Sequence, residues 1–168
     1  MPTILNVDDK ELNRYIRSQI LTGAKYRVVE ADGGRRALEL CRSLKPELVL
    51  LNVNMPDLHG REVCRRIKEE CGANTSVMVV HISATATATE DQVRGLEGGA
   101  DAYLAEPVDA ELLLATVRSM LRLHSAERKL KERDAGLRRL VDSNIVGIVI
   151  AGMEGIKDAN DEYCASSA

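Results

Sequence analysis

The chain has 168 residues, of which 45% are apolar, 29% are charged and only 2% are aromatic. These proportions predict a globular protein with one domain of ordinary size and additional chain beyond it. A net charge of −3 provides no basic surface for nucleic acid or anionic membranes, and four tyrosines offer few rings on which bases could stack. We therefore expect neither nucleic acid nor a membrane among the partners of this chain.

The four cysteines form no CxxC pair, which excludes a zinc ribbon and gives no disulfide framework. The N-terminus lacks a basic leader, and no apolar run approaches the ~18 residues of a membrane span. The sequence therefore predicts reduced cysteines and a cytoplasmic location.

Short apolar runs alternate with segments of helical period, a pattern typical of βα units around a parallel sheet. The first, third and fourth runs are the most apolar, as expected for central strands covered on both faces. The predicted strands are 3–7, 26–31, 47–53, 76–83 and 102–105. The predicted helices are 10–22, 34–43, 58–70, 90–98 and 109–141.

Several residues mark the predicted ends of these helices. Thr89 and Gln92 form a capping box before the fourth helix, and Gly98 and Gly99 stop it. Asp109 is the expected N-cap of the last helix.

The last helix is predicted to be unusually long, because residues 109–141 contain no proline and one glycine. Leu123, Leu130 and Leu137 recur every seven residues, which favours a two-stranded coiled coil and therefore a homodimer through this helix. Polar residues around Arg133 leave a single solvated helix as the alternative.

Residues 144–164 change character again. The segment NIVGIVIAGMEGIKDANDEYC is typical of a strand, a turn with glycine, a second strand and the start of a helix. Because a hairpin alone is marginal in water, we expect it to open a further domain.

Polar side chains follow the predicted strands 1, 3, 4 and 5. In an open parallel sheet, ligands bind outside the carboxyl ends of the strands, so these oxygen-bearing groups are candidates for a Mg²⁺ site. For Asp8 and Asp9, capping of the following helix is an equally simple interpretation. The candidate residues are Asp8, Asp9, Asn52, Asn54, Ser83 and Glu106.

Residues 2–122 resemble the receiver domain of two-component signalling proteins. The resemblance lies in ILNVDDKELNR, LVLLNVNMPDLHGREVCRRIK, VVHISA and GADAYLAEPVDAELL, in this order. It implies an α/β, flavodoxin-like fold, with a doubly wound five-stranded parallel sheet in the order 2-1-3-4-5 and a long C-terminal helix.

The resemblance also implies roles for the polar residues. Asp8 and Asp9 match the acids that hold Mg²⁺, together with residue 52 and the backbone carbonyl of Asn54. Asn52 occupies the position of the aspartate that accepts phosphate from a histidine kinase.

The remaining matches lie on the switch side of the pocket. Ser83 and Tyr103 match the hydroxyl and the aromatic ring that move with the phosphoryl group. Glu106, before Pro107, replaces a lysine that pairs with that group. The segment around Glu106 resembles a subgroup of receivers fused to sensor kinases, which favours Glu106 as native.

Two departures predict that phosphorylation is lost. The amide of Asn52 is not a carboxylate nucleophile, and the charge of Glu106 repels phosphate. Counting Asp8, Asp9 and Glu106 with no base, we expect a pocket charge of about −3, weak Mg²⁺ binding and signalling by protein contact.

Two alternatives remain open at this point. In the first, the protein is a conventional phosphoacceptor receiver in which Asn52 is an engineered or local substitution. In the second, less favoured because no DxD motif or substrate cap is visible, it is a metal-dependent phosphatase using Asp8 and Asp9.

The predicted domain plan is a receiver at 1–122, a coiled-coil linker at 123–142 and an incomplete start of a PAS-like domain at 143–168. IVGIVIAGMEGIKDAN resembles the opening hairpin of PAS domains. This order resembles the N-terminal part of a sensor histidine kinase, although a diguanylate cyclase would begin in the same way. No enzymatic activity is expected of this segment itself, and its partner is expected to be a histidine kinase or another signalling protein.

Overall fold

A parallel sheet of five strands forms the centre of the protein, in the order β2-β1-β3-β4-β5. The computed structural model describes residues 1–71, 77–84, 99–142, 149–152 and 155–159. The strands are β1 Thr3–Val7, β2 Arg27–Ala31, β3 Leu48–Asn52, β4 Met78–Ser83 and β5 Ala102–Ala105. The described helices are α1 Glu11–Gly23, α2 Gly34–Leu44, α3 Gly60–Cys71 and α4 Ala110–Asp142. The predicted doubly wound fold is confirmed.

The sheet separates two apolar layers, because alternate residues of a strand face opposite sides. Leu5 and Val49 pack with α2 and α3 on one side, whereas Ile4 and Leu50 pack with α1 and α4 on the other. Strands β3 and β4 are buried along their whole length, as is all but the first residue of β1. The prediction that these three strands are central is therefore confirmed.

The predicted cap of the last helix is also present. The Asp109 carboxylate accepts hydrogen bonds from the N–H groups of Glu111, at 2.8 Å, and Leu112, at 3.1 Å. The predicted helix 90–98 and its capping box at Thr89 and Gln92 lie outside the described residues.

Helix α2 is capped by a residue from a different loop. Asp57, between β3 and α3, accepts hydrogen bonds from the N–H groups of Gly34, at 3.0 Å, and Arg35, at 2.9 Å. Burial raises the pKa of Asp57, but these backbone donors outweigh that effect and leave it below its usual value. The cap ties the loop that follows β3 to the start of α2.

Helix α4 has 33 residues, which confirms the predicted length. The chain divides into two compact units, Met1–Ser125 and Ala126–Ala168. In the second unit, β6 Val149–Gly152 and β7 Gly155–Ala159 form the predicted antiparallel hairpin. The predicted helix start after this hairpin lies outside the described residues, and the domain boundaries remain predictions.

Among the described helices, none combines the length and apolar character needed to cross a bilayer. The predicted cytoplasmic location stays a prediction. Cys41 and Cys64 are buried, and burial raises the pKa of the Cys64 thiol to about 11.

Candidate functional site

The carboxyl ends of four strands bring the predicted polar residues to one edge of the sheet. Asp8 directly follows β1, Asn52 ends β3, Ser83 ends β4 and Glu106 directly follows β5. Asn52 pairs in register with Ile82, and Ser83 pairs with Ala105. The topology therefore places these residues along one edge of the sheet, which borders the candidate crevice.

Asn52 lies at the centre of a small network of hydrogen bonds. Its Nδ2 donates to Asp9 Oδ1 at 3.1 Å and to the Asn54 carbonyl at 3.2 Å, while its Oδ1 accepts the Asn54 N–H at 3.3 Å. The reversed amide would place its oxygen against a carboxylate and a carbonyl, so donors and acceptors match only in this orientation. The N–H₂ group therefore faces the oxygens that a metal ion would require.

The loop after β3 holds Asn52 through a very close backbone approach at Gly60. A Cβ at Gly60 would lie 2.3 Å from the Asn52 carbonyl oxygen and 2.7 Å from Val53 Cα. The Gly60 N–H also donates to the Val53 carbonyl at 2.8 Å. Only glycine leaves room for this contact, which positions residue 52 at the mouth of the crevice.

Asp8 is fully buried and both of its carboxylate oxygens are engaged. Oδ1 accepts the Lys10 N–H at 2.8 Å, and Oδ2 accepts a hydrogen bond from Arg17 Nη2 in an ion pair. The Lys10 contact lies just before α1, whose N-cap residue is Lys10, and α1 has no side-chain cap hydrogen bond, so the interpretation of Asp8 as a helix cap is not confirmed. The Arg17 contact was not anticipated from the sequence.

Arg17 places a positive charge in the pocket, so the expectation of three acids without a base was wrong. It is only 4% exposed, and its Nη2 lies 3.8 Å from Glu106 Oε1. Three acids and one arginine give a formal charge of −2 instead of −3. The available signal was the helical period, because Arg17 lies four residues before the buried Leu21 on the same face of α1.

Glu106 contacts side chains of α1. Its Oε1 accepts a hydrogen bond from Asn13 Nδ2 at 3.3 Å, and its side chain is 19% exposed. The following Pro107 is exposed, and the Glu106–Pro107 peptide bond is cis. Glu106 is therefore held by α1, through Asn13 and Arg17.

The two residues predicted to act in switching, Ser83 and Tyr103, lie on β4 and β5. Ser83 is fully buried, and Tyr103 is half-buried with its ring edge-on to His81, at a centroid distance of 6.2 Å and an angle of 88°. Burial is the main cause that lowers the pKa of His81 to about 4, with a contribution from the charge of Arg61. His81 lies within β4 and is neutral at pH 7.

The residues of this crevice do not fit a divalent cation in the arrangement observed. Carboxylate and carbonyl oxygens suit Mg²⁺, but the Asn52 amide occupies Asp9 and the Asn54 carbonyl, and Arg17 occupies Asp8. Across the described ranges, no group of three or more His, Cys, Asp or Glu side chains is arranged to hold a metal ion. A cation would have to displace one or both of these donors.

Comparison with known proteins identifies the family. The family model of the response regulator receiver domain matches residues 4–118. The chain therefore belongs to the response regulator receiver family, whose members include the relatives described next.

Protein PilH of Pseudomonas aeruginosa is 36% identical over 121 residues, which are 72% of this chain and 98% of PilH. Response regulator PleD of Caulobacter vibrioides is 34% identical over 153 residues, which are 91% of this chain but 33% of PleD. The chain thus spans about a third of the length of PleD.

Among solved structures, the chemotaxis protein CheY4 of Vibrio cholerae superposes with a TM-score of 0.66 at 28% identity. The superposition covers 71% of this chain and 98% of CheY4. The sheet order and fold therefore agree with those of a receiver.

Proposed function

We propose that this chain is the regulatory receiver module of a two-component signalling protein, and that it signals by protein contact without phosphate on residue 52. The single observation that carries this proposal is the Asn52 amide at the strand tip, hydrogen-bonded to Asp9 and Asn54. A carboxamide cannot act as the nucleophile that forms an acyl phosphate. The state of the module would then be set by its partner.

The charges around Asn52 also oppose an incoming phosphate. Asp8, Asp9 and Glu106 outnumber Arg17, and the guanidinium is already engaged by the Asp8 carboxylate. An anion entering this crevice would meet net negative charge at short range. Mg²⁺ binding would be weak, because its ligands already have donors within the protein.

Phosphorylation with acetyl phosphate and Mg²⁺, followed by intact-mass measurement, tests this proposal. We expect no mass gain on the unaltered chain. Asn52→Asp restores the carboxylate, and Asn54→Asp is the matched control, since it makes the same change in charge two residues away on an exposed side chain. A gain of one phosphoryl mass on the unaltered chain would contradict the proposal.

A second candidate is a conventional phosphoacceptor receiver in which residue 52 has been substituted. It is favoured by Asp8, Asp9 and Ser83, which occupy the strand tips where a working pocket requires them. Phosphorylation of Asn52→Asp but not of Asn54→Asp would show that the amide alone blocks the reaction. Failure of both variants would show that residues other than Asn52 also block the reaction.

The expected partner surface comprises residues 90–98, β5 and α4, with a histidine kinase or another signalling protein as the partner. Residues 90–98 lie outside the described residues. On α4, Leu112 has an exposed fraction of 52%, and on β5, Tyr103 is half-buried. These apolar side chains would supply contact area for the partner.

We also propose a homodimer through α4. Leu123 and Leu130 are 45% and 62% exposed, although both are large apolar residues on one helix at the spacing of a coiled coil. Pairing with a second copy would remove both side chains from water.

We also propose a domain plan with a receiver at 1–122, a linker at 123–142 and a PAS-like domain from 143 onward. The observed hairpin β6–β7 supports the PAS-like part of this plan. This order of domains resembles the start of a sensor histidine kinase.

A further inference from the structure

We propose that Arg17 is the resident cation of this crevice: its guanidinium holds the Asp8 carboxylate and offsets Glu106, so that a divalent metal ion binds only by competing with it. This inference deepens the proposed function, on which it rests, by naming what replaces the metal ion. It also gives the Glu106 carboxylate a positively charged partner within the protein. A phosphate could not serve as that partner, because Glu106 would repel it.

The burial of Arg17 is the first step of the argument. A guanidinium that is almost fully removed from water requires anionic partners, because burying an unpaired charge is very costly. Arg17 has two such partners from two different strands, Asp8 after β1 and Glu106 after β5. Its Nε donates to the Asn13 carbonyl at 3.1 Å.

Among the described residues, Arg17 does not have an acceptor for each of its N–H groups, so its position depends mainly on the two carboxylates. Its buried Nη1 has no acceptor in the part of the chain that the structure describes. The guanidinium therefore keeps this position although one donor is unused. Electrostatic attraction to two carboxylates accounts for that preference.

Asp8 cannot serve Arg17 and a metal ion equally well. One carboxylate oxygen already accepts the Lys10 N–H, and the other accepts the hydrogen bond from Arg17. A divalent cation on Asp8 would lie beside a buried positive charge and would repel it. Removing the guanidinium should therefore raise the affinity for Mg²⁺.

Arg14 offers a matched control on the same helix. Its Nη1 donates to the backbone carbonyl of Asp8 at 2.7 Å, and its Nε lies 3.6 Å from Glu30. It makes no contact with the Asp8 carboxylate within the described residues. Its removal takes the same charge from the same helix but leaves the Asp8 carboxylate paired.

The affinity for Mg²⁺ would be measured by calorimetric titration with MgCl₂ for the unaltered chain, Arg17→Met and Arg14→Met. The shift in Tm on adding Mg²⁺ would be measured for the same three proteins. We expect Arg17→Met to bind Mg²⁺ at least about tenfold more tightly than the other two, and its Tm to rise with Mg²⁺. Equal affinity in the unaltered chain and Arg17→Met would overturn the proposal.

If Arg17→Met does not fold, Arg17→Gln replaces it, because it keeps a polar side chain with N–H donors in the crevice but removes the positive charge. We then expect tighter Mg²⁺ binding than in the unaltered chain, and unchanged affinity would overturn the proposal. The outcome is separable from that of the acetyl phosphate experiment, since a phosphoryl mass gain tests residue 52 and the titration tests Arg17.

Discussion

At the scale of single residues, Asn52 and Arg17 alter the crevice in different ways. Asn52 places a carboxamide at the tip of β3, and its N–H₂ group donates to Asp9 and to the Asn54 carbonyl. Arg17 brings a buried positive charge to Asp8 from the neighbouring helix. Together they satisfy most of the pocket oxygens from within the chain, which is the physical basis for expecting little dependence on Mg²⁺.

His81 makes the stability of the protein depend on pH. Its pKa is about 4 in the folded protein against an ordinary value of 6.5, so between these values the unfolded chain binds a proton that the folded chain does not. The stabilisation is therefore complete above pH 6.5 and is lost as the pH falls toward 4. We expect a loss of up to about 3 kcal/mol from this residue.

Chemical unfolding at a series of pH values measures this effect. His81→Phe keeps an aromatic ring beside Tyr103 and should flatten the decline between pH 6.5 and pH 4. His59→Gln, at an exposed histidine, is the control and should keep the slope of the unaltered chain. A decline of the same steepness in His81→Phe would show that other groups cause it.

At the scale of elements, the contacts that decide the geometry of the site lie between elements that are distant in sequence. The loop after β3 is held to α2 by Asp57 and to β3 by the close approach of Gly60. Helix α1 is held to the crevice by Arg17 and Asn13. The position of Asn52 therefore depends on loop contacts as well as on the strand that contains it.

We expect Asp57→Ala to lower the free energy of unfolding by about 1 kcal/mol, because two N–H groups at the start of α2 lose their acceptor. Denaturant unfolding measures this change. Asp32→Ala removes an exposed acid from the loop before the same helix and should change the free energy by less than about 0.5 kcal/mol. Equal losses in the two variants would refute the capping role of Asp57.

At the scale of the whole molecule, α4 runs through both compact units of the chain, from Ala110 to Asp142. Its leucines at 112, 123 and 130 are large apolar side chains exposed to solvent. A dimer through this helix would connect the state of the receiver to whatever follows it, which is the kind of coupling that the proposed signalling role requires.

Light scattering of the full chain tests the dimer. We expect a dimeric mass for the unaltered chain and a monomeric mass for the double variant Leu123→Glu, Leu130→Glu, because charges at the seam oppose pairing. Lys129→Glu with Lys131→Glu, at exposed positions flanking Leu130, is the control and should remain dimeric. A monomeric unaltered chain would rule out the coiled coil.

Much of the fold could be predicted because its signals are local. Three such signals each act over a few residues: the apolar runs of β1, β3 and β4, the cap at Asp109, and the lack of proline in α4. The predicted strand β2 began at 26 and the observed strand begins at Arg27, a difference typical of frayed ends. For the candidate site, the sequence could predict only which residues lie at the carboxyl ends of the strands, because these ends meet at one edge of a parallel sheet.

The sequence by itself determined the receiver fold and the identities of Asn52 and Glu106 at the ends of two strands. Only the tertiary structure decided that Arg17 lies between Asp8 and Glu106 and that the Asn52 amide faces Asp9 and the Asn54 carbonyl. The physical reason is that an arginine on a helix is normally solvated. Its burial depends on two carboxylates that the chain brings together only when α1 packs on the sheet.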